Sequence, residues 1–464
     1  MRVAQNFLRI LKIIYILAKH DALSVLRRLG IAPVRTFLFS LVSNKRSNLR
    51  EGERIARALE ELGPIYIKIG QLLSTRTDLV GDEIAEDLSR LRDKLPSFSY
   101  ELAKATIESE FHSKIEELFS KFDEVPVAAA SIAQVHKAKT IAGEEVAVKI
   151  LRPNIDKIIA RDIKLFYYIA RKIEKRFKNS QRFRASEIVH NFEANIKIEL
   201  DLRLEASSAS ELKDNCKNDE DLYIPSVNWE LTSTKVLTLE WIDGVSIYDL
   251  ESLTKRGFNR DKLAAKIALI FFKQAFRDGF FHADLHPGNI LVNSKEQIVL
   301  VDFGIMGRLE KQTKIYVAEI LYGFLKRDYH HVAKIHFDAG FIAKDKSIME
   351  FAQCCRAIGE PIVGKPVNKI SIAHLLAQLF HVTESFDMQI QPKLLPLQKT
   401  MMLVEGIGFQ LNPEINMWKL VEPWIEDWAI DHIGIEAKLL SGLKNIVEFI
   451  FKELPARMKE SEKL

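Results

Sequence analysis

His282-Ala283-Asp284-Leu285-His286-Pro287-Gly288-Asn289, followed a short interval later by Val301-Asp302-Phe303-Gly304, is the most informative part of this 464-residue chain. An aspartate, four residues and an asparagine put a carboxylate and an amide on one loop. The Asp284 carboxylate can orient or deprotonate an attacking hydroxyl, while the Asn289 amide oxygen can help hold a metal. A second carboxylate, Asp302, follows a strand-like run at 298–301. Hard oxygen ligands from two separate segments suit Mg2+, which keeps phosphate and water in its remaining positions. Read blandly, these are a capping aspartate and a turn aspartate, and both motifs would have to arise in order and at this spacing by chance. The pattern predicts phosphoryl-transfer chemistry, with Asp284 catalytic and Asn289 and Asp302 as metal ligands.

Upstream, Val146-Ala147-Val148-Lys149 closes a strand signal. Alone, a lysine on a half-buried strand would simply snorkel to solvent. In order with Asp284 and Asp302, Lys149 is the expected contact to the nucleotide phosphates, and it needs a helical carboxylate to hold it. Glu199, Asp201 and Glu205 are the candidates. On one helix Glu199 and Asp201 point to different faces, whereas Asp201 and Glu205 share one, so separate roles are expected. Further nucleotide contacts are expected from the turn Ala128-Ala129-Ala130-Ser131-Ile132-Ala133, and from Glu240 and Ile242 at the end of a later strand. Loops that cover phosphates ordinarily use glycine, because the backbone must approach closely and bend freely. Added methyls predict a stiffer, altered cradle.

The fold class that follows is α+β: a bilobal protein-kinase-like fold, with a small antiparallel-sheet lobe, a helical lobe and an N-terminal helical extension. Residues 1–50 form a basic apolar segment, and 51–120 read as helices, one opened by Pro64 and another by Ser99 or Tyr100. Residues 121–245 form the sheet lobe. There the runs around 125–131, 132–140 and 145–150 make a meander, two long helices at 154–177 and 185–212 are inserted, and 222–231 and 235–242 add two strands. Residues 246–464 form the helical lobe, apart from a strand pair turning at Asn293-Ser294-Lys295. After Gly304 the chain turns helical almost at once and lacks an A-P-E motif. The surface on which protein kinases lay a peptide is therefore expected to be missing.

Composition agrees with a globular chain, 47% hydrophobic and 28% charged, with a net charge of +4. The charge is uneven. Residues 1–50 carry ten Lys/Arg against the single acid Asp21, which points to an anionic partner, a membrane surface first. A helix with Phe7, Leu11, Ile14 and Leu17 on one side fits an interfacial position or a core-docked one equally. Apolar runs such as 13–18 and 36–44 fall short of the roughly 18 residues that a membrane span needs. Cys216, Cys354 and Cys355 form no ligand spacing and suit a reducing compartment. His330, His331 and His336 have no ligand spacing, Gly406-Ile407-Gly408 lacks the context of a dinucleotide site, and Trp418, Trp424 and Trp428 are expected to pack. No basic patch interleaved with aromatics argues for nucleic acid.

At this point the chain resembles the UbiB family of atypical kinases, associated with ubiquinone biosynthesis. The resemblance covers roughly residues 60–310. It rests on Lys68-Ile69-Gly70-Gln71 (the family's K-x-G-Q), the alanine-rich loop, Lys149, Glu199-Leu200-Asp201 (its E-x-D), Glu205, Asp284, Asn289 and Asp302. It implies ATP and Mg2+ as cofactors, with Glu205 positioning Lys149. It also implies that the helix bearing Lys68, Gly70 and Gln71 folds over the site, Lys68 engaging Glu199 and Asp201 so that proteins are excluded. Implied partners are membrane lipid or an isoprenoid quinone precursor, enzymes of ubiquinone biosynthesis and a second copy of the chain. The implied location is peripheral, on the cytoplasmic face of a bacterial inner membrane. Many longer bacterial members end in two transmembrane helices, whereas the tail here is charged and short, with an amphipathic stretch at 439–451. Three other readings compete: a small-molecule phosphotransferase of aminoglycoside- or choline-kinase type, a nucleotide-binding scaffold, and a hydroxylase, for which no flavin or iron constellation is present.

Overall fold

The computed structural model describes residues 2–23, 49–74, 80–89, 91, 96–176, 185–285, 287–343, 345–363, 386, 394–415, 420 and 423–424. Two compact units result, one of Met1–Ser207 with Ser226–Trp241 and one of Ser208–Pro225 with Ile242–Leu464.

The first unit begins with α1 (Arg2–Lys19). Its C-terminal half is docked: Ile16, Leu17 and Ala18 are buried, Arg9 pairs with the buried Asp162, and Lys19 and His20 both reach Glu61. Leu17 of the expected lipid-facing stripe is thus packed into protein, with Leu11 and Ile14 half-buried, while Leu8, Lys12 and Tyr15 stay exposed. The apolar run at 36–44 and the amphipathic stretch at 439–451 lie outside the described residues, as do Trp418 and Trp428. Among the described residues no helix is long and apolar enough to cross a membrane.

α2 (Glu51–Leu62) and α3 (Pro64–Ser74) are separated by Gly63 at φ +109°, a turn that side chains rarely adopt. α4 (Asp82–Ser89) packs on both. α5 (Tyr100–Phe111), opened by Ser99, one of the two starts that the sequence offers, and the short α6 (Ile115–Leu118) lead into the sheet.

Its strands are β1 (Phe119–Phe122), β2 (Ala128–Ala129), β3 (Ala133–Thr140) and β4 (Glu145–Leu151), joined later by Val236–Glu240. The period-2 alternation of β4 decides the site. Val146, Val148 and Ile150 face a core shared with Ala103 and Ile107 of α5, so Ala147 and Lys149 face the opposite side.

α7 (Ile155–Arg176) is as expected, but the second long helix is two: α8 (Ala185–Glu199) and α9 (Leu202–Asn215). The break has a local cause. The Leu202 amide leaves the helical ladder to bond Thr234 O at 3.0 Å, and Asp201 becomes an N-cap, its Oδ1 accepting the Arg203 amide at 3.2 Å. The argument from shared helix faces therefore fails for Glu199, Asp201 and Glu205.

A second correction concerns 222–231. Only β5 (Leu222–Tyr223) forms, and it belongs to the second unit, where it pairs in parallel with Ile298–Val299, leaving a single bridge, Val227 to Leu239, on the first sheet. Pro225 stands two residues past Tyr223 and has no amide to extend a ladder. With β6 (Val236–Glu240), the first sheet is antiparallel in order β1-β3-β4-β6, with β2 on β3.

The second unit continues with β7 (Gly244–Ser246), α10 (Leu250–Lys255) and α11 (Arg260–Phe272), which runs into a π-helical turn at Lys273–Asp278. There follow β8 (Phe280–His282), β9 (Ile290–Asn293), β10 (Ile298–Leu300) and β11 (Met306–Arg308). After them come α12 (Lys311–Leu325), α13 (Tyr329–Asp338), α14 (Ile348–Val363) and α15 (Leu395–Leu411). The sheet order is β5-β10-β9-β7, and β8 pairs with β11. Fully buried Phe271, Phe272, Phe281, Phe303, Phe324 and Phe351 fill the interior. Each such ring contributes on the order of 2–3 kcal/mol by burial. The Asp219 carboxylate anchors the π-helical turn through Lys273 at 3.0 Å and Arg277 at 2.7 Å.

Candidate functional site

Within the first unit, Lys149 lies on the central strand of its sheet, paired with Val135 on one side and Leu237 on the other. Its ammonium meets both carboxylate oxygens of Glu205, at 2.8 and 3.0 Å. Glu205 sits in the first turn of α9 and is buried. The break at Asp201 starts that helix where Glu205 reaches the strand, so the kink is part of the site. A two-oxygen, shielded contact fixes the lysine far better than a surface pair does.

The alanine-rich loop is clamped by the residue that follows β4. Ala130 N–H bonds Ala133 O at 2.8 Å, closing a tight turn. Arg152 then donates to the loop's carbonyls, from Nη2 to Ala130 O and from Nε to Ser131 O, each at 2.8 Å, while its amide donates to Ile132 O. The guanidinium also stacks on Phe98. Ala128 is exposed, Ala129 and Ala130 are half-buried, and Ser131, Ile132 and Ala133 are buried. Beside the loop, Gln134 and His136 form a buried polar chain. Gln134 Nε2 donates to His136 Nε2 and His136 Nδ1 to Asp123 O, each at 2.8 Å, and burial pushes the His136 imidazole below its ordinary pKa.

Lys68 Nζ lies 2.7 Å from Glu199 Oε2, with side-chain exposures of 10% and 17%. Asp201 instead holds Arg203 in a two-point contact at 2.9 and 2.7 Å. The hydrogen bond from Arg203, foremost, holds that carboxyl below the usual range. Gly70 is a packing position: a Cβ there would fall 2.3 Å from Leu91 Cδ1 and 2.7 Å from Leu59 Cδ1. Gln71 is half-buried, its carbonyl accepting from Ser74 Oγ. Glu240 uses its carboxylate on the Ser226 amide at 3.1 Å. Ile242, half-buried, is the first residue of the returning second unit.

Within the second unit, the loop after β8 is organised by His282, which is fully buried. Its Nδ1 accepts the Asp284 amide at 3.2 Å and its Nε2 donates to Val301 O at 3.2 Å. This network places the proton on Nε2. Burial, above all, lowers the pKa of His282, so the neutral ring links the Asp284 loop to the residue before Asp302. Gln274, in the π-helical turn, accepts the His282 amide. Asn289 Nδ2 donates to Asp284 O at 2.9 Å, which fixes the amide so that its oxygen is the acceptor end.

Asp302 is exposed and adopts φ +63°, a left-handed conformation uncommon outside glycine. Its Oδ1 accepts the Gly304 amide at 3.4 Å. Among the described residues no group of three or more His, Cys, Asp or Glu could hold a metal. An amide oxygen and a carboxylate do suit Mg2+, which takes one or two protein ligands beside phosphate and water.

Three residues escaped the sequence reading. His282 stood inside the quoted motif, where no role was assigned to it. Arg152 lies three residues beyond Lys149 without any motif of its own. Lys399, on α15, sits 3.1 Å from Asp284 Oδ1 across 115 residues of sequence, and nothing local signals it. Of the histidines set aside, His336 is buried, bonds Val332 O at 2.7 Å and is depressed to a pKa of about 4 by burial.

Residues 90–336 match the ABC1 atypical kinase-like domain, and residues 355–416 match the UbiB helical domain. A protein named "Probable protein kinase UbiB" from Marinobacter nauticus is 41% identical over 420 residues, spanning 90% of this chain and 75% of that one. A protein of the same name from Aliivibrio fischeri is 41% identical over 419 residues, 89% of this chain and 77% of that one. Among solved structures, the complex of Rv3197 with erythromycin, from Mycobacterium tuberculosis, superposes with a TM-score of 0.55. It is 26% identical, and the match covers 78% of this chain and 93% of that one. The fold is kinase-like, and the chain belongs to the UbiB family of ABC1 atypical kinase-like proteins.

Proposed function

We propose that the chain binds Mg-ATP and moves its γ-phosphoryl group to water or a small hydroxyl acceptor, in support of ubiquinone biosynthesis at a membrane. The observation that carries this reading is the shielded two-oxygen contact between Lys149 and Glu205, the arrangement that phosphate-holding lysines require. Asn289 and Asp302 would hold Mg2+, which neutralises charge on the phosphates when bound. Lys149 binds the α- and β-phosphates. The clamped loop at 128–133 covers them, and Glu240 and Ile242 line the nucleotide. Asp284 receives the acceptor's proton as the acceptor oxygen bonds phosphorus and the β–γ bridging oxygen leaves with ADP. His282 keeps the Asp284 backbone in register with Asp302. Lys68, with Glu199, holds the helical extension closed against protein substrates.

Enzymes of ubiquinone biosynthesis, an isoprenoid quinone precursor or lipid and a second copy are the proposed partners, and the cytoplasmic face of a bacterial inner membrane the proposed location. A second reading, a small-molecule phosphotransferase, draws support from the mycobacterial relative, whose solved structure is a complex with erythromycin. The test is Asp302→Asn. Mg-dependent ATP binding and turnover should be lost, and retention of both at wild-type level would remove the metal-ligand assignment. Transfer of labelled phosphate to a defined metabolite rather than water would select the second reading.

A further inference from the structure

α15 delivers Lys399 to the catalytic loop. The Nζ–Oδ1 distance to Asp284 is 3.1 Å, with side-chain exposures of 44% and 33%. Lys399 is held in place by its neighbours, since Leu397, Thr400 and Met401 are buried and α15 packs on α11. The Thr400 hydroxyl returns to Pro396 O at 2.8 Å. A half-exposed ion pair adds little to stability, so fold stability alone does not account for the pairing. The loop itself supplies no Lys or Arg between His282 and Asn289. Among the described residues, Lys399 is the cation paired with the Asp284 carboxylate. It comes from the segment that matches the UbiB helical domain, whereas Asp284 lies in the kinase-like match.

We propose that Lys399 is a positioning residue for phosphoryl transfer, supplied to the catalytic aspartate by the helical domain. This rests on the Mg-ATP reading above. Lys399 holds Oδ1 and so turns Oδ2 toward the acceptor's hydroxyl. The acceptor proton passes to Oδ2 as the oxygen–phosphorus bond forms and ADP departs, and Lys399 keeps its own proton throughout. Because it acts through Asp284, its removal should slow turnover without weakening the hold on nucleotide.

The experiment compares the full-length wild type with Lys399→Met, Lys399→Arg, Asp284→Asn and the Lys399→Met/Asp284→Asn double variant. Steady-state turnover of Mg-ATP and the rise in unfolding temperature produced by Mg-ATP are both measured. Lys399→Met should lower kcat by roughly tenfold to a hundredfold, the scale of a misplaced catalytic group, with KM for ATP and the ATP-induced temperature rise unchanged. Lys399→Arg should restore most of kcat, and Lys399→Met should cost nothing further once Asp284 is Asn. An unchanged kcat in Lys399→Met, beside an inactive Asp284→Asn, overturns this proposal alone. A raised kcat would make Lys399 a brake, and a raised KM at constant kcat would make it a nucleotide ligand; either result also overturns it. A wild type that neither turns over ATP nor is stabilised by it removes the underlying reading as well.

Discussion

Lys68 on α3 and Glu199 at the end of α8 form an ion pair of 2.7 Å in which both side chains are largely shielded from water. The pair ties the helical extension to the E-x-D segment. With Asp201 engaged by Arg203, Glu199 is the E-x-D carboxylate that meets Lys68. Removing Lys68 strands a poorly solvated carboxylate, and removing Glu199 takes a close counter-charge from a poorly solvated ammonium. Lys68→Met and Glu199→Gln should each destabilise the protein by about 1–3 kcal/mol in denaturant unfolding, between the surface and fully buried limits. The double variant should lose less than the sum. Strict additivity would show that the two side chains do not interact.

Asp302 combines the carboxylate proposed to hold Mg2+ with a left-handed backbone, φ +63°. Asparagine tolerates that conformation almost as well as aspartate, whereas a β-branched residue does not. Asp302→Asn should therefore leave the unfolding midpoint without ligand nearly unchanged while abolishing Mg-dependent stabilisation by ATP. Asp302→Val should abolish the same stabilisation and in addition cost about 1–2 kcal/mol. Equal midpoints for Asn and Val would mean that the left-handed conformation does not hold in solution.

Burial of His336 lowers its pKa from 6.5 to about 4. The unfolded chain takes up a proton as pH falls through 6.5, and the folded chain does not until near 4. Stability from this group is therefore intact above 6.5 and lost as pH drops, amounting to about 3 kcal/mol by pH 4. Buried His282 and His136, also depressed, act in the same direction. His336→Leu should flatten the pH dependence between 6.5 and 4 while lowering stability at neutral pH through the lost bond to Val332 O. An identical slope in variant and wild type would contradict the assignment.

How much of this is legible in the sequence follows from how local each determinant is. The strand pair 290–293 and 298–300 and the helix read as starting at Ser99 or Tyr100 depend on short-range pattern and turn chemistry, and the structure has both, with Ser99 as the helix's cap position. Lys149 is legible from its order with Asp284 and Asp302, but the residues leave Glu199, Asp201 and Glu205 open as its partner, and only the family resemblance picks Glu205. The break between α8 and α9 is not legible, because its cause is a hydrogen bond from Leu202 to Thr234, far along the sequence. β5 is misassigned from sequence for a similar reason: its partner, β10, begins at Ile298. Lys399 is the extreme case, a solitary lysine on an ordinary helix whose meaning comes only from Asp284.

Methyl groups predict a stiff alanine-rich loop, and the structure adds a second cause in Arg152. Its guanidinium holds the Ala130 and Ser131 carbonyls at 2.8 Å, so the loop is restrained by hydrogen bonds as well as by φ/ψ limits. Lysine cannot reproduce a planar two-point donor. Arg152→Lys should therefore raise amide hydrogen exchange across 128–133 by about tenfold, corresponding to the loss of one to two hydrogen bonds. The sheet core around Val148 should stay as protected as in the wild type. Replacing Ala128 and Ala129 with glycine should loosen the loop through backbone entropy but leave the Arg152 contacts in place. The two changes should then add in free energy, so that their factors in exchange rate multiply. If Arg152→Lys leaves the loop as protected as the wild type, the methyl groups alone account for its stiffness.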